Sequence, residues 1–126
     1  MAQPTVASRL ERRMILLSSD ADLGARLQAA CPAQWRLRQA SDVAVLGDFA
    51  DILQYRFLLL DLEDPAFDPL DAIDTLRREL MLNIAIICLG GDAALRDAAR
   101  LARADRFFGR EEAVGVMQLF CAQYDW

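Results

Sequence analysis

The sequence of 126 residues contains no histidine. This absence excludes Ser-His and Cys-His nucleophilic pairs, imidazole metal ligands and a histidine phosphocarrier. Cysteine is scarce, and the three cysteines, Cys31, Cys88 and Cys121, are far apart and form no C-x-x-C pair. Neither a disulfide framework nor a zinc site is indicated, and we interpret the cysteines as buried apolar residues. The G-x-G-x-x-G spacing that cradles phosphate is missing too, so Gly90 and Gly91 are expected to make a tight turn.

Positive charge and long apolar runs are also lacking. Fourteen basic residues against nineteen acidic ones give a net charge of -5, and such a field disfavours nucleic acid and anionic membrane surfaces. No apolar run approaches membrane-spanning length, and the N-terminal residues lack the apolar core of a signal peptide. We therefore expect a cytoplasmic, soluble protein with no nucleic-acid or membrane partner through this domain.

What the sequence does contain is a series of short, continuous apolar runs. Residues 14–17, 57–60 and 84–89 have the sequences MILL, FLLL and IAIICL, which are typical of parallel strands covered on both faces. Residues 35–39 and 106–108 are weaker strand candidates flanked by charge. The sequence therefore predicts five strands.

Between the strands, apolar residues recur with the period of a helix. The five predicted stripes are Leu23, Leu27, Ala30 and Cys31; Val43, Leu46, Ala50 and Leu53; Leu70, Ile73, Leu76 and Leu80; Leu95, Ala98, Ala99 and Ala102; and Ala113, Met117, Phe120, Cys121 and Tyr124. Ser41 and Asp92 are predicted to be N-caps, and Pro32 is expected to end the first helix.

Alternating strands and helices with short connections predict an α/β fold, a five-stranded doubly wound parallel sheet with helices on both faces. Residues 1–12 show no period and are expected to form an N-terminal tail, which leaves one domain over residues 13–126. In such sheets, ligands and chemistry collect at the carboxyl ends of the strands. The residues that end each strand are therefore the candidates for a site.

The third predicted strand is followed directly by Asp61, with Pro65 and Asp68 further along. This stretch resembles that of a response-regulator receiver domain, whose third strand delivers an aspartate followed by D-x-x-x-P and an acid before the next helix. The order and lengths of the elements fit the flavodoxin-like (βα)5 arrangement of receivers from about residue 13 to residue 124. The resemblance implies that Asp61 is the phosphoacceptor equivalent and that family chemistry needs a divalent ion, usually magnesium.

Receivers hold that ion partly with an acidic pair at the end of the first strand. Here Ser18 and Ser19 occupy the two positions, so both charges are gone. Asp20 is the one carboxylate that remains nearby, and an orientation toward solvent is open to it. A shift of one residue in the register would instead place Ser19 and Asp20 on the pair and restore one ligand, and this alternative stays open at the level of sequence.

Two further positions also depart from the receiver pattern. The fourth strand of a receiver usually ends in a threonine or serine that senses phosphate, and here Leu89 stands at that place. The fifth strand usually presents lysine followed by proline, and here Arg110 is followed by Glu111. The charge is kept, but a planar guanidinium pairs bidentately where an ammonium acts as a point charge. The chain thus resembles a degenerate receiver, or pseudo-receiver.

Two interpretations of Asp61 follow. It is either a phosphoacceptor or a strand-end aspartate held ionised by Arg110 and backbone donors, in a permanent ion pair that replaces the metal and the phosphate. We favour the ion pair because the ligand set is depleted. Magnesium, if it binds, is expected to do so weakly at Asp20, Asp61 and Glu63. Four acids are interpreted mainly as solvated loop and helix-start residues: Asp20, Glu63, Asp64 and Asp68.

A candidate interface lies on the fourth predicted helix. Arg96, Arg100 and Arg103 recur at helical spacing away from the apolar stripe, with Arg106 just beyond. A solvated face balanced by nearby aspartates is one interpretation. The resemblance adds another, because in receivers the surface formed by the fourth helix, fifth strand and fifth helix mediates dimers and partner binding. The complementary acids would be Glu111 and Glu112, Phe107 or Phe108 would face this surface, and a two-fold homodimer is the expected product.

The sequence thus predicts a non-catalytic, receiver-like signalling module that acts through a protein partner, namely a regulatory or output domain, without aspartyl phosphorylation. One alternative is a working receiver phosphorylated on Asp61 by a histidine kinase in a two-component system or phosphorelay. Another is a flavodoxin-like domain that binds a small ligand, which the scarcity of glycine, serine and threonine in the strand-end loops disfavours.

Overall fold

The structure is a computed structural model that describes residues 11–125. Five parallel strands form one sheet in the order β2-β1-β3-β4-β5. The strands are β1 (Arg12–Leu17), β2 (Trp35–Ala40), β3 (Phe57–Asp61), β4 (Ala85–Leu89) and β5 (Arg106–Phe108). The predicted α/β class and sheet are confirmed. β1 already begins at Arg12, and residues 1–10 of the predicted tail lie outside the described residues.

The three central strands are built from the continuous apolar runs. Every residue of β3 is buried, and so are the last four residues of β1 and of β4. Both faces of these strands are covered, so no alternation with polar residues is needed. The register places Leu17 beside Leu60, and Asp61 beside Leu89. The ends of β1, β3 and β4 therefore lie at the same level of the sheet.

Within residues 11–125, five α-helices connect and follow the strands. They are α1 (Ala21–Ala30), α2 (Phe49–Ile52), α3 (Pro69–Asp74), α4 (Ala93–Leu101) and α5 (Ala113–Gln123). The first four each begin after an aspartate whose carboxylate accepts backbone N–H groups, namely Asp20, Asp48, Asp68 and Asp92. An aspartate there also lies favourably at the positive end of the helix dipole. The prediction for Asp92 is confirmed.

The second helix is where the prediction is wrong in detail. The expected continuous helix is divided by Gly47, whose φ of 100° is a left-handed conformation that suits glycine. A 3-10 turn, Val43–Leu46, precedes this break, and α2 follows it. The cap of the turn is Asp42 rather than Ser41, because the Asp42 carboxylate accepts the N–H of Ala44. Leu53, predicted to face the core, is exposed.

Arg77 ties together the two segments that lead into β4 and β5. α3 continues into a π-helical turn, Thr75–Glu79, that buries the Arg77 side chain. Its guanidinium donates to the carbonyl oxygens of Leu82 (2.9 Å), Ile84 (2.7 Å) and Arg103 (3.0 Å). At 2.8 Å it also pairs with Asp105. The carboxylate of Asp105 in turn accepts the N–H of Ile86. We refer to these contacts as the Arg77 clamp.

Two apolar layers enclose the sheet. Side chains of α2, α3 and α4 pack on one face, and those of α1 and α5 pack on the other. Cys88 and Cys121 are buried as predicted, whereas Cys31 is half-buried. Within residues 11–125, no helix has the length and apolar character needed to cross a membrane. Because both faces of the sheet are covered, side chains from several strands can meet near solvent at the carboxyl edge of the sheet.

Candidate functional site

Asp61 stands at the centre of the carboxyl edge. It ends β3, and its side chain is 1% exposed. The hydroxyl of Ser18 donates to Asp61 Oδ2 at 2.8 Å, and the N–H of Glu63 donates to Oδ1 at 3.1 Å. Ser18 is itself buried, since it directly follows β1 next to this position. A buried carboxylate of this kind needs a counter-charge.

Arg110 supplies that counter-charge. It follows β5 and starts the 3-10 turn Arg110–Glu112. Its Nε donates to Asp61 Oδ1 at 3.2 Å, and its Nη2 donates to Asp61 Oδ2 at 3.1 Å, a side-on bidentate pair. The hydrogen bonds to Asp61, and to a lesser degree those to Asp20, raise the pKa of Arg110 above its ordinary value. The guanidinium therefore carries a permanent charge against both carboxylates.

Asp20 joins the same cluster from the start of α1. Its Oδ2 accepts from Arg110 Nη2 at 2.5 Å, while Oδ1 accepts the N–H groups of Asp22 and Leu23. The hydrogen bond from Arg110, followed by that from Leu23, lowers the pKa of Asp20. The carboxylate thus points back toward Asp61, and the orientation toward solvent that the sequence left open is not adopted.

Ser19 makes a different contact. Its hydroxyl donates to Asp64 Oδ1 at 2.8 Å, and its N–H donates to Asp64 Oδ2. Asp64 is buried, so its interpretation as a solvated acid is wrong. Burial alone would raise the pKa of Asp64, but hydrogen bonds from Ser19 and from the N–H of Ala66 outweigh it and lower the pKa. The serine thereby fastens the loop after β3 to the end of β1.

The loop after β4 is held from two sides. Leu89 is fully buried and brings no hydroxyl to the edge. Beyond it, Gly90 and Gly91 adopt φ values of 79° and 84°, in the predicted tight turn. The carboxylate of Glu63 accepts the N–H of Gly91 at 3.1 Å, and Arg96 donates to the carbonyl oxygen of Gly90 at 3.0 Å. These contacts fix the backbone directly after Leu89, the position that the sequence assigns to the phosphate-sensing hydroxyl of a receiver.

The residues at this edge do not fit a magnesium site. Both oxygens of Asp61 accept hydrogen bonds, and the Arg110 guanidinium lies between this carboxylate and that of Asp20. Glu63 is turned toward the turn after β4. Within residues 11–125, no three His, Cys, Asp or Glu side chains are arranged to hold a metal ion. A hard divalent cation requires several free oxygen ligands. Here the carboxylate oxygens of Asp61 and Asp20 accept hydrogen bonds from the Arg110 guanidinium instead.

The arginines predicted to form one ridge take different positions. Arg96 turns inward and donates to the carbonyl oxygens of Gly90 and Phe108, so it is part of the loop described above. Arg100 lies over the ring of Phe107, with the guanidinium carbon 4.8 Å from the centroid. Arg103 lies beyond the end of α4 at a φ of 81°. The expected helical ridge is therefore interrupted at both ends.

The other predicted interface residues divide between surface and core. Arg106 and Glu111 are exposed, and Glu112 accepts the N–H of Gly109 at 3.0 Å as a local cap. Phe107 packs with the α4 side of the core. Phe108 packs with the other side, against the ring of Phe120 at 6.0 Å. A two-fold homodimer through this face stays a prediction.

Sequence reasoning missed three contributors to the edge: the Ser19–Asp64 contact, the Glu63 bond to Gly91, and the inward turn of Arg96. Each joins residues from different strand-end loops. Periodicity reports only which face of an element is buried and carries no signal for such pairings. The position of Asp64 soon after a strand end is the one hint that the sequence offers.

Comparison by sequence finds no match among known proteins, whereas comparison by structure does. No family model matches the sequence, and none of the curated proteins matches it. Solved structures do match. The receiver domain of a response regulator from Bermanella marisrubri superposes with a TM-score of 0.74 at 20% identity, covering 89% of this chain and 96% of that one. The chain has the receiver-domain fold.

Two further receivers support the same conclusion. The receiver domain of TorR, the response regulator of a TMAO respiratory system, gives a TM-score of 0.67 at 22% identity, covering 88% of this chain and 98% of that one. A response regulator receiver protein from Pseudoalteromonas atlantica gives 0.66 at 11% identity, covering 89% and 95%. At these identities the likeness concerns the fold, and function must be argued from the site.

Proposed function

We propose that this receiver-fold chain is a non-catalytic signalling module that acts by protein contact and is not switched by phosphorylation of Asp61. The observation that carries this proposal is that both carboxylate oxygens of Asp61 already accept hydrogen bonds within the protein. Both of its oxygens accept from Arg110, and one also accepts from Ser18. A carboxylate held in this way is a poor nucleophile toward a phosphodonor, because attack requires it to leave a buried, charge-assisted pair.

Phosphoryl transfer also depends on positive charge that is available to neutralise the phosphoryl oxygens. Here the one cation in contact with Asp61 among the described residues is anchored to Asp20 as well, and the acidic pair of active receivers is replaced by neutral Ser18 and Ser19. Leu89 offers no hydroxyl for a bound phosphoryl group. The arrangement is that of a site stabilised in one state. We also propose that the protein is cytoplasmic.

The contact partner in this proposal is a protein, such as a regulatory or output domain. Receiver folds generally serve as signalling modules rather than enzymes. A working receiver that a histidine kinase phosphorylates is the second candidate, favoured by the retention of Asp61 at the end of β3.

A small-ligand domain has less support. A cavity of about 750 Å³ is lined by residues such as Tyr55, Arg56, Ile84 and Tyr124. These residues lie at the amino ends of the strands and at the end of α5, whereas doubly wound sheets bind ligands at their carboxyl ends.

The experiment is incubation of the chain with magnesium and acetyl phosphate, followed by intact-mass measurement. We expect no stable phosphorylated fraction, whereas a phosphorylatable receiver treated in parallel gains one phosphoryl group. The control variant is Asp61→Asn. If the wild-type chain gains a phosphoryl group that Asp61→Asn abolishes, the proposal is wrong and the working receiver is correct.

A further inference from the structure

β2 is an edge strand of the sheet, because the strand order is β2-β1-β3-β4-β5. The backbone groups of alternate residues in such a strand point to opposite sides. The carbonyl oxygen of Ala40, the last residue of β2, accepts the N–H of Ser18 at the end of β1. By alternation, the N–H and C=O groups of Leu37 and Gln39 point away from β1, toward the outside of the sheet.

These outward groups have no partner in the described part of the chain. Outside the ladder between β1 and β2, the backbone of Leu37 and Gln39 makes no hydrogen bond within residues 11–125. At the start of the strand, by contrast, the N–H of Trp35 donates to the carbonyl oxygen of Pro32 at 2.9 Å. Outward polar groups at a spacing of two residues are the pattern with which an added strand pairs.

A cavity of about 410 Å³ lies along this edge, and its lining combines residues from both faces of β2. Trp35 and Leu37 belong to the face that carries α1, whereas Arg36 and Arg38 alternate with them and lie on the other face. Because both faces contribute to the lining, the cavity lies beside the strand itself. The space is therefore where the outward backbone groups are.

Three arginines on one face of the sheet line this cavity, and we call them the edge arginines: Arg13, Arg36 and Arg38. The register pairs Arg13 of β1 directly with Arg36 of β2, and Arg38 follows two residues later. Like charges opposite one another on neighbouring strands are destabilising. An anion bound beside the edge arginines would relieve this repulsion.

The described residues neutralise only part of this charge. A hydrogen bond from Arg13, and to a lesser degree the charge of Arg36, lowers the pKa of Glu11. The guanidinium of Arg36 makes no hydrogen bond or salt bridge within residues 11–125. That of Arg38 donates to two neutral groups, a tyrosine hydroxyl and the carbonyl oxygen of Val45. Both Arg36 and Arg38 are exposed, so they can reach a partner.

The aspartates that follow β2 along the chain do not pair with the edge arginines. Asp42, Asp48 and Asp51 lie in that segment, and the first two cap its short helical turns while Asp51 accepts the N–H of Asp48. No salt bridge joins these aspartates to the edge arginines among the described residues. The edge thus keeps positive charge in a protein whose net charge is -5.

This charge disfavours pairing between two copies of β2. An antiparallel pair centred on Leu37 would place Arg36 of each copy opposite Arg38 of the other. Charged side chains discourage edge strands from pairing in general, but the same charge favours an incoming strand of opposite sign. On such a strand, acids two residues apart would lie beside Arg36 and Arg38, and an apolar residue between them would lie beside Leu37.

We propose that β2 binds an extended acidic segment of a partner protein, with the sequence pattern acid–apolar–acid, as an added strand of the sheet. The inference rests on the proposed function and deepens it, because it gives the chemistry of the partner for a module that acts by contact. The backbone of Leu37 and Gln39 supplies the hydrogen bonds, and the edge arginines select the charge. The contact is small, so the affinity is modest.

The experiment is an NMR titration of the purified chain with the peptide acetyl-STEVETS-amide up to about 1 mM, a range that detects weak contacts. We expect saturable shifts of the β2 amides. Hydrogen exchange of the Leu37 and Gln39 amides should become slower, because both donate to the added strand. Acetyl-STEPETS-amide lacks the central N–H, and acetyl-STKVKTS-amide has the opposite charge, so each should bind at least about tenfold more weakly.

The variant Arg36→Glu should weaken binding of the first peptide at least about tenfold. The matched control is Arg106→Glu, which should bind as the wild type does. Arg106 is an exposed residue of the other edge strand, β5, and its side chain also makes no hydrogen bond or salt bridge within residues 11–125. Both variants change the net charge equally, and circular dichroism verifies that both are folded.

Four results would each overturn the inference. They are the absence of saturable binding, binding that leaves exchange of the Leu37 and Gln39 amides unchanged, equal weakening by the two variants, and equal binding of the three peptides. None of these results bears on phosphorylation, so the inference can fail while the proposed function stands. A chain phosphorylated on Asp61 would instead refute the proposed function, whatever the peptide does.

Discussion

Arg110 and Arg77 form the two principal arginine–aspartate pairs of the described residues, at opposite ends of the strands. Arg77 donates to three backbone carbonyl oxygens besides Asp105, and its side chain is 7% exposed. Arg110 donates to two carboxylates from different strand ends, and its side chain is 27% exposed. Arg77 holds backbone in place, whereas Arg110 neutralises a cluster of acids that would otherwise need another cation.

The largest expected effect is at the Arg77 clamp. Arg77→Met removes the guanidinium donor from three carbonyl oxygens and the counter-charge from Asp105, and we expect a loss of about 3 kcal/mol in the free energy of unfolding. Urea denaturation measures it. The matched control is Arg78→Met, an exposed neighbour whose change should stay within about 0.5 kcal/mol. Equal losses for the two variants would contradict a special role for the clamp.

Arg110→Met should lower the free energy of unfolding less than Arg77→Met does. Its larger effect should be on the response of the site to divalent ions. Asp61 stays buried without its counter-charge, and we expect a loss of about 2 kcal/mol without divalent ions. Magnesium should then raise the unfolding temperature of this variant and leave that of the wild type unchanged. The double variant Arg110→Met with Asp61→Asn should recover part of the loss. A double variant as unstable as the sum of its parts would argue against the ion pair.

The pH dependence gives the smallest effect. The pKa values of Asp20 and Asp64 are lowered in the folded state, so the unfolded chain binds protons more readily as the pH falls. Their stabilising contribution is present above about pH 4, the ordinary aspartate value, and is lost as the pH falls through the lower folded values. Asp64→Asn should flatten this acid-side slope in urea titrations. An unchanged slope would show that the Ser19–Asp64 contact does not contribute.

The comparison also shows what the sequence could predict. Continuous apolar runs identified β1, β3 and β4, and strand ends identified Asp61 and Arg110, because burial and period are properties of neighbouring residues. The break at Gly47 escaped prediction since the apolar spacing continues across it. The partners of Ser19, Arg96 and Arg77 escaped it too. Those contacts join loops distant in sequence and exist only once the sheet has formed.

The measurement that tests the account most directly is a manganese titration followed by NMR, in which a bound paramagnetic ion broadens nearby amide signals. If Arg110 has taken the place of the metal ion, the amides of Ser19, Asp20 and Glu63 in the wild type should broaden no more than those near exposed surface acids. In Arg110→Met the same three amides should broaden selectively. Selective broadening of these amides in the wild-type chain would contradict the account.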